Sequence, residues 1–343
     1  MALPTRSQGR CAHFAIMPLD CLISFPESAS TTVKVRARAA RISFTHRHRP
    51  GDSMNRRSLL KGALLGASTL AIRPTFARAS RDYELAARLS TLERRHGGRL
   101  GVAVLDTGGG RRIAQRGDER FLMCSTFKLL AVAAVLARVD RGTERLDRRI
   151  VFGREALLPY APTTTLHVGA PGLSVAELCQ AAVTLSDNTA ANLLLASLGG
   201  PAMVTAFARG LGDRVTRLDR IEPELNMGSA GDIRDTTTPN AMLATLQKLL
   251  LGDVLSEPSR QRLLGWLRAC TTGSNALRAG VPAGWIVGDK TGNNGRDQTN
   301  DIGIFWPPQR SPVLVTAYYA GASADGARRN AVLAEVGRIA ASV

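Results

Sequence analysis

The run "CSTFKLLAVAAVLA", Cys124 to Ala137, sets one hydroxyl, Ser125, and one ammonium, Lys128, ahead of nine residues without a polar side chain. A helix that is apolar all round leaves no face for water, so this segment predicts a buried central helix. At a helical spacing of three, Ser125 and Lys128 share one face, with Cβ atoms about 5–6 Å apart. Burial disfavours the charged form of a lysine and lowers its pKa. A neutral amine can take the proton of a serine hydroxyl, and a serine at a helix start lies where N–H groups favour negative charge. The residues read as a lysine-assisted serine nucleophile. Ser-x-x-Lys alone is a weak pattern: it recurs as Ser58 to Lys61, where it has no chemistry to do.

Working outward, the texture on either side differs. Upstream, Asp82 to His96 reads as an amphipathic helix, and "RLGVAVLDTGGGRRIAQRG" as a hairpin turning at Gly108–Gly110. From Phe121 onward the pattern is helical. Ser174 and Glu177 form a capping box, and Thr238-Pro239 opens a helix that ends near Gly252. From about Trp285 strands return, as "WIVGDKTG", "NDIGIFWPP" and "PVLVTAYYAG", and "ARRNAVLAEVGRIAAS" closes the chain as a helix. The layout predicts an α/β unit built from both chain ends (80–120 and 269–343) with an all-helical unit inserted (121–268). A cleft between such units is a common place for a site.

Two further strings carry chemistry. Ser186-Asp187-Asn188 sits in the short connection between two apolar helices, and Lys290-Thr291-Gly292 lies on a predicted strand. Each alone is usually a cap or a strand end. Together with Ser125-x-x-Lys128, in this order and on these elements, they resemble the serine β-lactamases and penicillin-binding proteins. The resemblance implies a three-layer α/β/α sandwich with an antiparallel sheet, plus the helical domain. It also implies an acyl-enzyme on Ser125, with no metal or other cofactor. Ser186 is then placed to relay a proton from Lys128 or Lys290 to the leaving nitrogen. Lys290, Thr291 and Ser186 hold the substrate carboxylate, and Asn188 donates to the substrate's side-chain amide. Asn293, after Gly292, adds an oxyanion N–H beside that of Ser125.

What attacks the acyl-enzyme separates hydrolysis from transpeptidation. "RIEPELNMGSAGDIRDTTTP", Arg220 to Pro239, resembles the omega loop of the class A β-lactamases. By that resemblance Glu222 is the base for water, Asn226 helps hold the water, and Arg220 with Asp235 pins the loop. Whether Lys128 or Glu222 activates Ser125 stays open at this stage. Tyr160 matches an aromatic at the cleft entrance. Arg328 or Arg329 is the nearest candidate for a carboxylate-binding arginine, and Thr299 stands where some members carry that arginine. Cys124 and Cys179 match positions that form disulfides in some members, but the partner positions here are not cysteine, so both are expected to be free. Cys270 reads as a small buried hydrophobe.

Bulk composition fits this reading. The formal charge is +17, but thirteen Lys/Arg against three Asp/Glu fall before Ser80, so most of the excess lies in the leader. That removes the main support for a nucleic-acid binder, and the aromatic-rich motifs of such proteins are missing. "MNRRSLLKGALLGASTLAIRPTFARAS", from Met54, carries a twin-arginine pair (Arg56, Arg57), a short apolar stretch and Ala77-Arg78-Ala79. It reads as a bacterial export signal (54–79) cut after Ala79, too short for a membrane span. Residues 1–53 read as an over-extended gene start. The expected product is a periplasmic monomer, free of the membrane once cleaved, acting on a small-molecule β-lactam. Only His96 and His167 remain in the mature part, without ligand spacing, so no metal site is expected. The competing reading is a D-alanyl-D-alanine peptidase or penicillin-sensing protein, which shares all but the omega loop.

Overall fold

The computed structural model describes residues 73–229, 231–321 and 325–343. The twin-arginine pair and the apolar stretch after it lie outside these residues. Ala77–Ala79 falls within the first described helix, α1 (Arg73–His96).

The sheet is assembled from the two ends of the chain. Strands β1 (Arg99–Asp106) and β2 (Arg112–Gln115) form the expected hairpin. After the helical segment come β7 (Ile286–Asn293), β8 (Gln298–Trp306) and β9 (Val313–Ala320). The spatial order is β2-β1-β9-β8-β7, with every pairing antiparallel. Period-two alternation explains why β1 and β9 are apolar throughout. Val102, Val104, Val315 and Tyr319 join one core with Leu85, Leu89, Val332 and Leu333 from α1 and the last helix, α8 (Gly326–Ala341). Ala103, Leu105, Leu314 and Tyr318 join the other, which continues into the helical segment. The fold is thus a three-layer α/β/α sandwich with an inserted helical part.

Within that part, α2 (Phe127–Asp140) is the buried central helix, with Phe127 to Ala137 all buried. Around it pack α3 (Val175–Thr184), α4 (Asn188–Leu198), α5 (Pro201–Gly210) and α7 (Glu257–Arg268), while α6 (Pro239–Leu250) lies against the sheet. Burying each of Leu129, Leu130 and Leu136 stabilises the fold by about 2 kcal/mol. The Ser174/Glu177 capping box opens α3, and Thr238 caps α6 with Pro239 as its first residue. Two-residue strand pairs, β3 (Phe121–Leu122) with β6 (Thr236–Thr237) and β4 (Arg149–Ile150) with β5 (Leu173–Ser174), stitch the helical part together. They are too short to give a periodic signal, and the sequence did not suggest them.

Candidate active site

Three connections converge on one point. The first is a 3-10 turn, Cys124–Thr126, that runs directly into α2 and carries Ser125. The second is the α3–α4 connection with Ser186, and the third is β7 with Lys290 to Asn293. Gly292 permits the approach of β7. A Cβ there would meet the Met123 carbonyl oxygen at 2.7 Å and the Ser125 nitrogen at 3.2 Å, so any side chain would push the strand off the serine. Asn300 of β8 holds the incoming chain from the other side, its Nδ2 donating to the carbonyls of Leu122 (2.9 Å) and Met123 (3.1 Å). Non-glycine residues at positive φ are uncommon, yet Cys124 (45°), Ser186 (59°) and Asp235 (57°) all flank this point. Such strain persists where surroundings over-determine it, and it clusters at functional sites.

The cleft they enclose measures about 410 Å³, with Ser125, Ser186, Asn188, Asn226, Thr291 and Tyr160 on its walls. Lys128, Glu222 and Lys290 lie just beneath, at 0%, 1% and 0% exposure. The described residues hold no cluster of three or more His, Cys, Asp or Glu able to bind a metal ion.

The hydrogen bonds add a partner for Ser125 that the helical spacing does not show. Ser125 Oγ donates to Glu222 Oε1 at 3.2 Å, and no hydrogen bond among the described residues joins it to Lys128. Lys128 Nζ donates instead to the Ser186 carbonyl (2.8 Å), Asn188 Oδ1 (2.6 Å) and Ser186 Oγ (3.3 Å). It also lies 3.3 Å from Glu222 Oε1. Glu222 therefore stands between the two groups that the Ser-x-x-Lys spacing seemed to pair. Burial lowers the pKa of the Lys128 amine to about 8, partly opposed by Glu222. An ammonium suits a group ringed by acceptors. Lys290 Nζ donates to Ser186 Oγ at 3.0 Å, and burial pushes its amine down as well. Ser186 Oγ thus accepts hydrogen bonds from both lysines. Asn188, whose Oδ1 is taken by Lys128, keeps its amide N–H groups for the cleft.

Glu222 is held from both sides. Asn226 Nδ2 donates to its Oε2 at 2.5 Å. Asn192, one turn beyond Asn188 on α4, clamps its backbone, donating to the Glu222 carbonyl (2.8 Å) and accepting from its N–H (3.0 Å). The sequence reading missed Asn192. Its only signal was the i,i+4 spacing from Asn188, which puts both on one helix face. Asp187 caps α4 through the Ala190 N–H and accepts from the backbone N–H groups of Thr163 and Thr164. It anchors the segment bearing Tyr160, which is 51% exposed at the rim.

The segment bearing Glu222 is pinned by Asp235, fully buried, which accepts from Arg220 Nε (2.5 Å) and from the N–H groups of Asp219 and Arg220. Asp235→Asn keeps the shape and tolerates the left-handed backbone, so it isolates the charge. Removing one partner of a buried ion pair costs about 3 kcal/mol, and urea unfolding is expected to show a loss of that order.

Neither arginine proposed for the substrate carboxylate reaches the cleft. Arg328 is an exposed residue on the outer side of α8, 3.9 Å from Asp325. Arg329 is buried and donates through Nε to Thr299 Oγ1 at 2.9 Å. The α8 side chain that lines the cleft is Asn330. Cys124, Cys179 and Cys270 are free and buried, and burial raises the pKa of all three thiols, which keeps them inert.

Comparison with known proteins agrees with this geometry. Residues 84–343 match the profile of the family described as "Beta-lactamase enzyme family". Beta-lactamase L2 of Stenotrophomonas maltophilia is 48% identical over 279 residues, which cover 81% of this chain and 90% of that protein. A beta-lactamase of Streptomyces fradiae is 45% identical over 84% of this chain and 96% of its own length. Among solved structures, an ancestral (GNCA) class A beta-lactamase is 64% identical with a TM-score of 0.74, covering 75% of this chain and 99% of that one. The putative class A beta-lactamase PenP from Rhodopseudomonas palustris is 58% identical, also with a TM-score of 0.74, covering 76% and 99%.

Proposed function

We propose the following residue roles for this chain, which belongs to the class A serine β-lactamase family and hydrolyses the β-lactam amide of penicillin- and cephalosporin-type antibiotics, giving resistance. Ser125 Oγ is the nucleophile, and the observation that carries the assignment is its hydrogen bond to Glu222 Oε1. In acylation Glu222 takes the serine proton while Oγ bonds to the lactam carbonyl carbon. The backbone N–H groups of Ser125 and Asn293 receive the charge on the carbonyl oxygen. Lys128, as ammonium, steadies the Glu222 carboxylate. When the C–N bond breaks, Ser186 Oγ protonates the nitrogen and is resupplied by Lys128 or Lys290. Lys290, Thr291 and Ser186 position the substrate carboxylate, Asn188 the side-chain amide, and Tyr160 borders the entrance.

Once Ser125 carries the acyl group it no longer donates to Glu222, and Glu222 passes the proton it took to Lys128, which gave its own to the nitrogen through Ser186. The carboxylate, with Asn226 beside it, is then free to hold and deprotonate a water. That water attacks the ester and the proton returns to Ser125. The relatives with which the chain shares most of its length are β-lactamases, so this reading is preferred to a D-alanyl-D-alanine peptidase.

The export signal at 54–79 and cleavage after Ala79 fit a monomeric enzyme that meets its substrate in the periplasm. One intact-mass and peptide-mapping experiment on exported protein, with and without antibiotic, tests both parts. The expected chain begins at Ser80 and carries a single transient adduct on Ser125. An adduct on another side chain overturns the mechanism, and residues retained before Ser80 overturn the processing site.

A further inference from the structure

Asn300, on β8, is buried yet belongs to the wall of the cleft. Its amide is oriented by what it touches. Nδ2 donates to the carbonyls of Leu122 and Met123; turned over, the amide would set its oxygen against both. Oδ1 accepts no hydrogen bond among the described residues. The two carbonyls lie immediately before the turn that carries Ser125.

The Met123 carbonyl also accepts from the Thr126 N–H (3.2 Å) and from Thr126 Oγ1 (2.8 Å). Three donors thus hold one oxygen, and of the three only Asn300 belongs to the sheet. Cys124 alone separates this carbonyl from the Ser125 N–H, and its φ of 45° is a conformation that a side chain resists. The aim of that N–H is therefore set by a strained residue whose flanks must be held. Asn300 also neighbours the second oxyanion donor. The β7–β8 register sets it opposite Gly292, one residue before Asn293, and opposite residues of an antiparallel pair share a face. A Cβ on Gly292 would meet the Met123 oxygen at 2.7 Å; with none there, β7 and the turn stay in contact.

We propose that Asn300 is a positioning residue for the oxyanion hole. By tying the Met123 carbonyl to β8 beside Gly292, it fixes the separation and aim of the Ser125 and Asn293 N–H groups that receive the lactam oxygen, a role that rests on the β-lactamase reading above. Such donors act on the place the oxygen reaches in the transition state, and a misplacement of about 1 Å can cost about 10²-fold in rate.

Asn300→Leu removes the donor at similar volume. Acylation and deacylation both pass through a charged oxygen in this hole, so both should slow. The expected result is that kcat and kcat/KM for a penicillin fall together, by about 10- to 100-fold, with KM within about threefold. A boronic acid that forms a tetrahedral adduct on Ser125 should lose affinity by a similar factor. A third readout uses the Glu222→Gln background, in which the acyl-enzyme persists. Hydrogen bonds to the ester oxygen soften its C=O bond, so the infrared carbonyl stretch of the adduct should move to higher wavenumber in Glu222→Gln/Asn300→Leu than in Glu222→Gln alone. That band comes only from folded, acylated protein, so a loss of stability does not move it. An unchanged stretch overturns the proposal, as does a raised KM at unchanged kcat, or lower stability with kcat and boronate affinity intact. If Asn300→Leu fails to fold, Asn300→Ala, smaller and also without the donor, carries the same expectations. Failure of the parent enzyme to form any Ser125 adduct rejects the functional reading itself, a different outcome from any of these.

Discussion

Glu222→Gln is expected to turn the enzyme into a trap that acylates and then stalls. Acylation should slow by about 10²-fold and deacylation by 10³-fold or more, within or above the usual worth of a general base. The difference has a physical cause. Opening a lactam relieves ring strain, and the attacking hydroxyl is already held in place. Deacylation attacks an unstrained ester with a water that Glu222 and Asn226 are placed to hold. The substitution also acts on Lys128. Glu222 holds that amine's pKa up against the desolvation that drives it down. With the carboxylate gone, the amine should lose its proton at lower pH, becoming the neutral base that the Ser-x-x-Lys spacing suggested. Acylation by the Glu222→Gln enzyme should therefore rise with pH as Lys128 deprotonates. Rapid mixing followed by intact-mass measurement would show a Ser125 adduct persisting through many parent turnovers. Normal steady-state turnover would remove Glu222 from the mechanism.

The same arrangement shows which parts of the site could be read from the sequence. Ser125, Ser186 and Lys290 were legible because each sits in a short string fixed to an element boundary: a helix start, a helix–helix connection and a strand. Glu222 and Asn226 were legible only through resemblance, since nothing local distinguishes them from a polar surface loop. The contacts among these groups were not legible. Helical spacing places Ser125 and Lys128 on one face, but long-range packing decides what enters between them, and Glu222 arrives from 97 residues away. Asn192 was missed for the same reason, because its partner is the backbone of another segment. In the fold, the sheet strands and α2 were legible from alternation and from a run with no polar face. The two-residue strand pairs were not, because pairing of that length depends on which segments packing brings together.

Lys128→Met should lower the acylation rate by about 10²- to 10⁴-fold, the range for losing a positioned proton donor together with a buried charge. Methionine approximates the volume of the lysine stem, so α2 should keep its packing. The buried Glu222 would lose its cation, so urea unfolding should register a loss as well. Rates are therefore best taken per titrated active site. The pH dependence separates the two possible roles of Lys128. Its pKa is lowered to about 8. If the ammonium is the working form, steadying Glu222 and feeding Ser186, acylation falls as pH rises through about 8. If the neutral amine is the base in the parent enzyme, acylation rises across the same interval. The contacts favour the first, since Lys128 donates to two oxygens of Ser186 and one of Asn188 and none reaches Ser125. In Lys128→Met the alkaline limb near 8 should vanish, leaving only what Lys290 contributes from the far side of Ser186. A parent profile that climbs through 8, and flattens when Lys128 is replaced, would return the proton of Ser125 to the lysine and leave Glu222 with the water alone.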